Sequence, residues 1–126
     1  MRADVRVVII DDDSDLLRLV EATLRFTAGW FVEAAGTGDE GLDIVRRLIP
    51  DVVLVDFMMP GMDGLEVCRR LRDDELTAGI PLVLLTARAQ LAGAQARAVG
   101  ARGVIVKPFE IDLLASQVLA LMESDP

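Results

Sequence analysis

Carboxylate side chains directly follow two of the most apolar segments of the sequence. Asp11, Asp12 and Asp13 come after the run VRVVII, and Asp56 comes after VVLV. Carboxylates that are held close together repel one another, and a hard divalent cation relieves that repulsion. If the two segments end at one place, Asp12 and Asp56 can each supply an oxygen ligand, as can a backbone carbonyl of the loop. The pattern predicts a cation site.

A hydroxyl group and an ammonium group follow two further apolar segments. Thr86 comes after PLVLL, and Lys107 comes after GVIV. These groups suit an anion, such as a phosphoryl group held beside a metal ion. Together with a carboxylate nucleophile, they are what phosphoryl transfer to an aspartate requires. Each residue alone is explained as well by an ordinary turn or helix cap, but convergence of all of them favours a common function.

Convergence depends on the elements that carry these residues. Short β-branched runs alternate five times with longer amphipathic segments, which predicts an α/β fold: a doubly wound, five-stranded parallel sheet with helices on both faces. In such sheets ligands lie beyond the carboxyl ends of the strands. The predicted strands are Val5–Ile10, Phe31–Ala35, Val52–Val55, Pro81–Leu85 and Gly103–Val106. The predicted helices are Ser14–Thr27, Gly41–Leu48, Leu65–Arg72, Ala89–Val99 and Ile111–Met122.

Local signals support the helix boundaries. Ser14 or Asp13 can cap the first helix, the stretch from Thr37 to Glu40 has capping-box spacing, and Pro50 ends the second helix. The fourth helix is mostly alanine and contains Gly93, so we expect it to be weakly held and mobile.

The composition excludes several classes of function. The chain has 126 residues, which fits one domain spanning residues 1–126. A net charge of −8 argues against direct binding of nucleic acid by this domain. The absence of histidine excludes Ser-His and Cys-His nucleophile pairs and a phosphohistidine on this chain. A single cysteine, Cys68, and no apolar run of about 20 residues favour a soluble cytoplasmic protein without membrane contact.

The motifs that follow the predicted strands resemble those of a known family. Asp11-Asp12, the run from Asp56 to Gly64 (DFMMPGMDG), Thr86-Ala87 and Lys107-Pro108-Phe109 are similar, in order and spacing, to receiver domains of two-component response regulators. The resemblance covers essentially the whole chain and extends to the single-domain chemotaxis regulators of the family. It implies the flavodoxin-like strand order 2-1-3-4-5, and a Lys107–Pro108 peptide bond that is cis.

The same resemblance implies a role for each site residue. Asp56 would be the phosphoacceptor that attacks a phosphohistidine on a sensor histidine kinase or histidine phosphotransfer protein. The reaction would need Mg²⁺ or Mn²⁺, and the protein would catalyse only its own phosphorylation and dephosphorylation. The metal would be held by Asp12, Asp56 and the backbone carbonyl of Met58, with Asp11 holding a metal-bound water. The phosphoryl oxygens would be bound by the Thr86 hydroxyl, the Ala87 amide and Lys107.

Two departures from the family concern the output of the domain. The fifth strand carries Val104 where the family usually has an aromatic switch residue. The stretch Ala101-Arg102-Gly103 replaces acidic residues that are frequent in winged-helix members. Because Val104 is short and stiff at χ1, we expect a signal to travel through the fourth helix instead. The sequence does not identify a downstream target, and its last helix ends a few residues before the terminus, which favours a stand-alone receiver.

Two alternative functions are a small phosphohydrolase and a flavodoxin-like nucleotide binder. A small phosphohydrolase that forms an aspartyl-phosphate usually carries a second acid two residues after the nucleophile, where this chain has Met58, which cannot transfer protons. A flavodoxin-like nucleotide binder should offer Ser, Thr and Gly amides to a phosphate in its first loop, where Asp11–Asp13 would repel one. Turnover of a phosphomonoester would favour the first, and a bound flavin the second.

Overall fold

Five strands form one parallel sheet in the order β2-β1-β3-β4-β5. The structure, a computed structural model, describes residues 4–124, except for the side chains of residues 89–92. The flavodoxin-like strand order and the parallel sheet are therefore confirmed. The strands are β1 Arg6–Ile10, β2 Phe31–Ala35, β3 Val52–Asp56, β4 Leu82–Thr86 and β5 Gly103–Val106. The helices are α1 Ser14–Ala28, α2 Gly38–Leu48, α3 Gly64–Asp73, α4 Ala89–Ala98 and α5 Leu114–Met122, the last preceded by a 3-10 turn at Ile111–Leu113.

Two apolar clusters cover the two faces of the sheet. Alternate residues of a strand point to opposite faces, so Val7 and Ile9 join one cluster while Val8 and Ile10 join the other. Buried residues of α1 and α5 belong to the first cluster, and those of α2, α3 and α4 belong to the second. Burial on both faces explains why the central strands are continuously apolar rather than alternating.

Single residues of interest lie within these clusters. Cys68 is fully buried in α3 as expected, and burial raises the pKa of its thiol to about 12. Val104 of β5 is partly buried and packs on the face covered by α2, α3 and α4.

The second helix begins three residues earlier than expected, at Gly38 instead of Gly41. The Thr37 hydroxyl accepts a hydrogen bond from the amide of Glu40 at 3.1 Å, so Thr37 is the N-cap and the helix starts at the next residue. The capping signal was correctly recognised, but the glycines that follow it obscured the first turn.

Two strands extend one residue further toward the site than expected. The β3 strand includes Asp56, which pairs with Leu85, and β4 includes Thr86, whose carbonyl accepts the amide of Lys107 at 2.7 Å. The expected ends at Val55 and Leu85 were therefore wrong, because sheet hydrogen bonds continue into the polar residues. The Lys107–Pro108 peptide bond is cis, as the resemblance implied.

Close packing against the backbone of Asp56 determines where α3 begins. A Cβ atom added to Gly64 would lie 2.3 Å from the Asp56 carbonyl oxygen, and the Gly64 amide donates to the Phe57 carbonyl at 3.1 Å. Only a residue without a side chain permits this approach. Gly64 thus holds the loop after β3 against the first turn of α3.

We predict that Gly64→Ala destabilises the protein by about 1–3 kcal/mol, because the backbone around Asp56 must move to make room for the new methyl group. The matched control is Gly79→Ala, since a Cβ atom at Gly79 meets nothing within 4 Å and its φ is not positive. That control should be neutral or stabilising by up to about 1 kcal/mol. Urea unfolding of both variants measures the difference, and equal midpoints would contradict the packing argument.

Candidate functional site

Three strand ends bring charged side chains together at the carboxyl edge of the sheet. The Lys107 ammonium lies 2.7 Å from Oδ2 of Asp11 and 3.3 Å from Oδ1 of Asp56. Carboxylate oxygens of Asp11, Asp12 and Asp56 lie within 4.8 Å of one another. Residues that are up to 96 positions apart in sequence thus form one cluster, because parallel strands all end at the same edge.

Asp11 connects the lysine to the start of the first helix. It is fully buried, and while Oδ2 accepts from Lys107, Oδ1 accepts from the amide of Asp13 at 2.9 Å. Asp13 in turn caps α1, since its Oδ1 accepts from the amides of Asp15 and Leu16, both at 3.1 Å. The sequence left the cap open between Asp13 and Ser14, and the structure identifies Asp13.

The ionisation of Asp56 is shifted by its surroundings. Asp56 is 7% exposed, and its Oδ1 accepts from the amide of Met58 at 3.4 Å. Burial, followed by the charge of Asp11, raises its pKa from 3.8 to about 6, against the opposing effect of Lys107. Desolvation and a neighbouring carboxylate both disfavour the anion, so Asp56 is an anion that its surroundings under-stabilise.

Lys107 supplies the positive charge that partly neutralises the two buried carboxylates. Burial acts to lower its pKa, but the hydrogen bond and charge of Asp11 and the charge of Asp56 outweigh that effect and raise it. The side chain is about one quarter exposed. Lys107 therefore stays charged and faces both buried carboxylates.

The remaining predicted residues lie at the end of β4 or in the loops that follow β3 and β4. Thr86 is 3% exposed, and its Oγ1 accepts from the amide of Arg88 at 3.0 Å. Ala87 follows it and is exposed. Met58 lies two residues after the end of β3 and is 63% exposed. The structure thus brings Asp11, Asp12, Asp56 and Lys107 into one cluster, with Thr86, Ala87 and Met58 at or just beyond the ends of its strands.

An apolar groove beside Lys107 was not foreseen from the sequence. It has a volume of about 350 Å³ and includes Leu16, Leu19 and Phe109. Leu19 is 49% exposed, and the i, i+3 spacing of the two leucines on α1 is the signal that could have indicated the groove.

The donor set fits a divalent cation. Its ligand atoms are carboxylate oxygens, and two of the three carboxylates are buried. Hard cations prefer such oxygens, and a cation here would offset the repulsion that one ammonium group only partly offsets. The cluster could therefore hold a metal ion.

Comparison with known proteins agrees with this site. The response regulator receiver domain family matches residues 7–119. The chain belongs to this family. Its members are the receivers of two-component signalling, and phosphorelay is the family function.

Individual relatives are similar across almost all of this receiver domain. The DNA-binding dual master transcriptional regulator RpaA of Synechocystis is 40% identical over 118 residues, which is 93% of this chain and 48% of RpaA. The DNA-binding response regulator MtrA of Mycobacterium tuberculosis is 39% identical over 119 residues, 91% of this chain and 49% of MtrA. The chain thus spans about half the length of these curated relatives.

A solved structure is similar over the full fold. The chemotaxis protein CheY4 of Vibrio cholerae matches with a TM-score of 0.88 and 31% identity, covering 94% of this chain and 99% of the other. Within the described residues, no helix of the receiver domain is long and apolar enough to cross a membrane.

We predict that the stability of the metal-free protein falls as pH rises between about 4 and 6. Asp56 ionises near 3.8 in the unfolded chain and near 6 in the native protein, so in this window the native state holds a proton that the unfolded state has lost. Asp56→Asn should remove this slope and be more stable than wild type at pH 7 by about 1–3 kcal/mol. Urea unfolding in the presence of chelator measures both effects.

The control for this prediction is Asp43→Asn, which removes a carboxylate from the exposed surface of α2. It should keep the wild-type slope. If Asp56→Asn also keeps it, Asp56 is not the group whose ionisation opposes folding.

Proposed function

We propose that Asp56 is the phosphoacceptor of this receiver domain. A carboxylate oxygen of Asp56 attacks the phosphorus of a phosphohistidine on a sensor histidine kinase or histidine phosphotransfer protein. The new O–P bond forms as the N–P bond breaks, and the partner's imidazole leaves with the electron pair of that bond. The observation that carries the proposal is the position of Lys107, within 3.3 Å of Asp56 and 2.7 Å of Asp11 at one edge of the sheet.

The surroundings of Asp56 suit this role. A buried carboxylate near a second carboxylate is poorly solvated. This favours its attack on phosphorus once the negative charge of the site is neutralised. Lys107 balances charge before the transfer and can pair with a phosphoryl oxygen afterwards. The Thr86 hydroxyl and the Ala87 amide, which follow β4, would bind other phosphoryl oxygens.

The metal ligands in this proposal are Asp12, Asp56 and the backbone carbonyl of Met58, with Asp11 acting through a bound water. The metal would be Mg²⁺ or Mn²⁺, because all these ligand atoms are oxygen. When bound, it supplies positive charge next to the oxygens of the transferred group. The close approach of Asp11, Asp12 and Asp56 supports this assignment.

The domain acts only on its own aspartate and is not an enzyme with external turnover. The residue two positions after Asp56 is Met58, whose thioether cannot act as a general acid or base, so rapid hydrolysis of added phosphomonoesters is not expected. Residues 1–126 are proposed to form a single receiver domain that works in the cytoplasm. It would contact protein partners, and neither membrane nor nucleic acid directly, in keeping with its net charge of −8.

We predict that Asp56→Asn abolishes phosphorylation by acetyl phosphate in the presence of Mg²⁺, because the amide has the same shape but is not a competent nucleophile. Intact mass spectrometry should show one added phosphoryl group on wild type and none on the variant. Asp43→Asn is the control and should be labelled like wild type. Equal labelling of wild type and Asp56→Asn would refute the assignment.

We also predict that Mg²⁺ stabilises the native protein. At a concentration about 100 times its dissociation constant, the gain should be about 2.7 kcal/mol, since the unfolded chain lacks the site. Asp12→Asn should lose most of this gain, and Asp43→Asn should keep it. Thermal melts with Mg²⁺ and with chelator at low ionic strength provide the measurement. A melting temperature that Mg²⁺ leaves unchanged in wild type would argue against a metal site.

A further inference from the structure

The first turn of α2 carries two glycines on one face. Gly38 and Gly41 are both buried, and their spacing of three residues places them on the same side of the helix. The turn is fixed by its cap, because the Thr37 hydroxyl accepts from the Glu40 amide at 3.1 Å and the Thr37 carbonyl accepts from the Gly41 amide at 3.0 Å. This face of α2 meets two different elements.

Gly41 lies against the last residue of β1. A Cβ atom at Gly41 would lie 2.3 Å from Cδ1, 2.6 Å from Cγ1 and 3.1 Å from Cγ2 of Ile10. Ile10 is fully buried, and its backbone is aligned with Ala35 of β2 and Val55 of β3, so it cannot recede into the sheet. Ile10 is also stiff at χ1 because it is β-branched. A methyl group at Gly41 would therefore push α2 away from the sheet.

Gly38 lies against the loop that follows Asp56. A Cβ atom at Gly38 would lie 2.9 Å from Sδ and 3.0 Å from Cβ of Met62, and 3.1 Å from Cγ2 of Val67. Met62 belongs to residues 57–63, the loop between β3 and α3, and Val67 is a buried residue of α3. Because the Cβ atom of Met62 is bonded to its backbone, rotation of the side chain does not relieve that contact. The first turn of α2 thus packs closely on loop 57–63.

These two contacts connect α2 to both segments that carry acidic site residues. Ile10 is followed directly by Asp11 and Asp12, and loop 57–63 begins directly after Asp56. The sheet fixes Ile10, α2 approaches Ile10 through Gly41, and α2 contacts Met62 through Gly38. The position of loop 57–63 relative to Asp12 therefore depends on how closely α2 approaches the sheet.

We propose that Gly41 and Gly38 are positioning residues for the cation site, because they let α2 hold loop 57–63 at a fixed distance from Asp12. The inference rests on the metal site proposed above, since that loop carries the Met58 carbonyl. Mg²⁺ demands nearly ideal geometry, with ligand oxygens at about 2.0–2.1 Å. A small displacement of loop 57–63 would therefore weaken binding, although neither glycine is itself a proposed ligand.

A purely structural role of the two glycines makes a different prediction. Both positions have helical backbone, where alanine is otherwise more favourable than glycine. Under either role, crowding against Ile10 or Met62 would lower the stability of the alanine variants. Only the positioning role predicts that the folded variants also bind Mg²⁺ less tightly. The dissociation constant for Mg²⁺ therefore distinguishes the two roles.

A titration of the intact, unphosphorylated chain with MgCl₂ tests the proposal, with the amide signals of residues 11–13 and 57–59 followed by NMR. Gly41→Ala should raise the Kd for Mg²⁺ by about tenfold, as loss of a contact that orients metal ligands does. Gly38→Ala should raise the Kd as well, and it tests the same face of α2 if Gly41→Ala does not fold. In metal-free protein, Gly41→Ala should also shift the amide signals of loop 57–63, because α2 moves away from Met62.

Two control variants separate this effect from a loss of stability. Gly36→Ala alters a glycine just before α2 at which a Cβ atom meets nothing within 4 Å, and it should bind Mg²⁺ like wild type. Val118→Ala removes buried methyl groups of α5, which packs on the other face of the sheet. It should lower the stability of the protein and leave the Kd unchanged.

The outcomes distinguish this inference from the metal site on which it rests. A wild-type Kd in the folded variants of Gly38 and Gly41, or an equal rise of the Kd in Val118→Ala, would overturn the positioning role while the metal site stands. If Mg²⁺ leaves the amide signals of the wild-type protein unchanged, the metal site itself is refuted, and the positioning role with it.

Discussion

Two buried carboxylates that share one ammonium group at the end of the sheet impose the constraint on which the other features depend. Asp11 and Asp56 are both nearly inaccessible, and Lys107 contacts both. Such an arrangement is under-neutralised, because one positive charge faces two negative charges in a poorly solvated place. The residual negative charge is what makes a cation favourable, and the incomplete stabilisation of Asp56 suits the nucleophilic role that we propose for it. The same lack of neutralising charge is therefore costly for folding and favourable for the phosphoryl transfer that we propose.

The sheet can hold this cluster because backbone hydrogen bonds between the strands fix the residues that form it. Strands β1, β3 and β5 deliver Asp11, Asp56 and Lys107 from continuously paired segments, of which β3 is buried throughout, so the paired strands determine the position of all three residues. Asp11 also accepts the amide of Asp13, and Gly64 lets α3 pack directly on the carbonyl of Asp56. The charged groups are thus held by neighbours that would have to move together.

The two edges of the sheet differ in the contacts that the described residues make there. At the amino edge, Arg72 and Arg102 each donate to carbonyl groups of separate elements. At the carboxyl edge, the loops after β3 and β4 carry Met58 and Ala87, both exposed.

The sequence by itself determined the strand order through family resemblance. It also predicted that the acidic, hydroxyl and ammonium residues lie at one edge of the sheet, because parallel strands end at the same edge. Apolar runs and capping residues are local signals, so they located all five helices and strands, with errors of up to three residues, as at Gly38. Only the tertiary structure decided that Lys107 lies closer to Asp11 than to Asp56, and that Arg72 reaches Gly100, 28 positions away. Such pairings depend on side-chain distances between segments remote in sequence. The shifted pKa of Asp56 likewise arises from burial and neighbouring charge, which exist only in the folded chain.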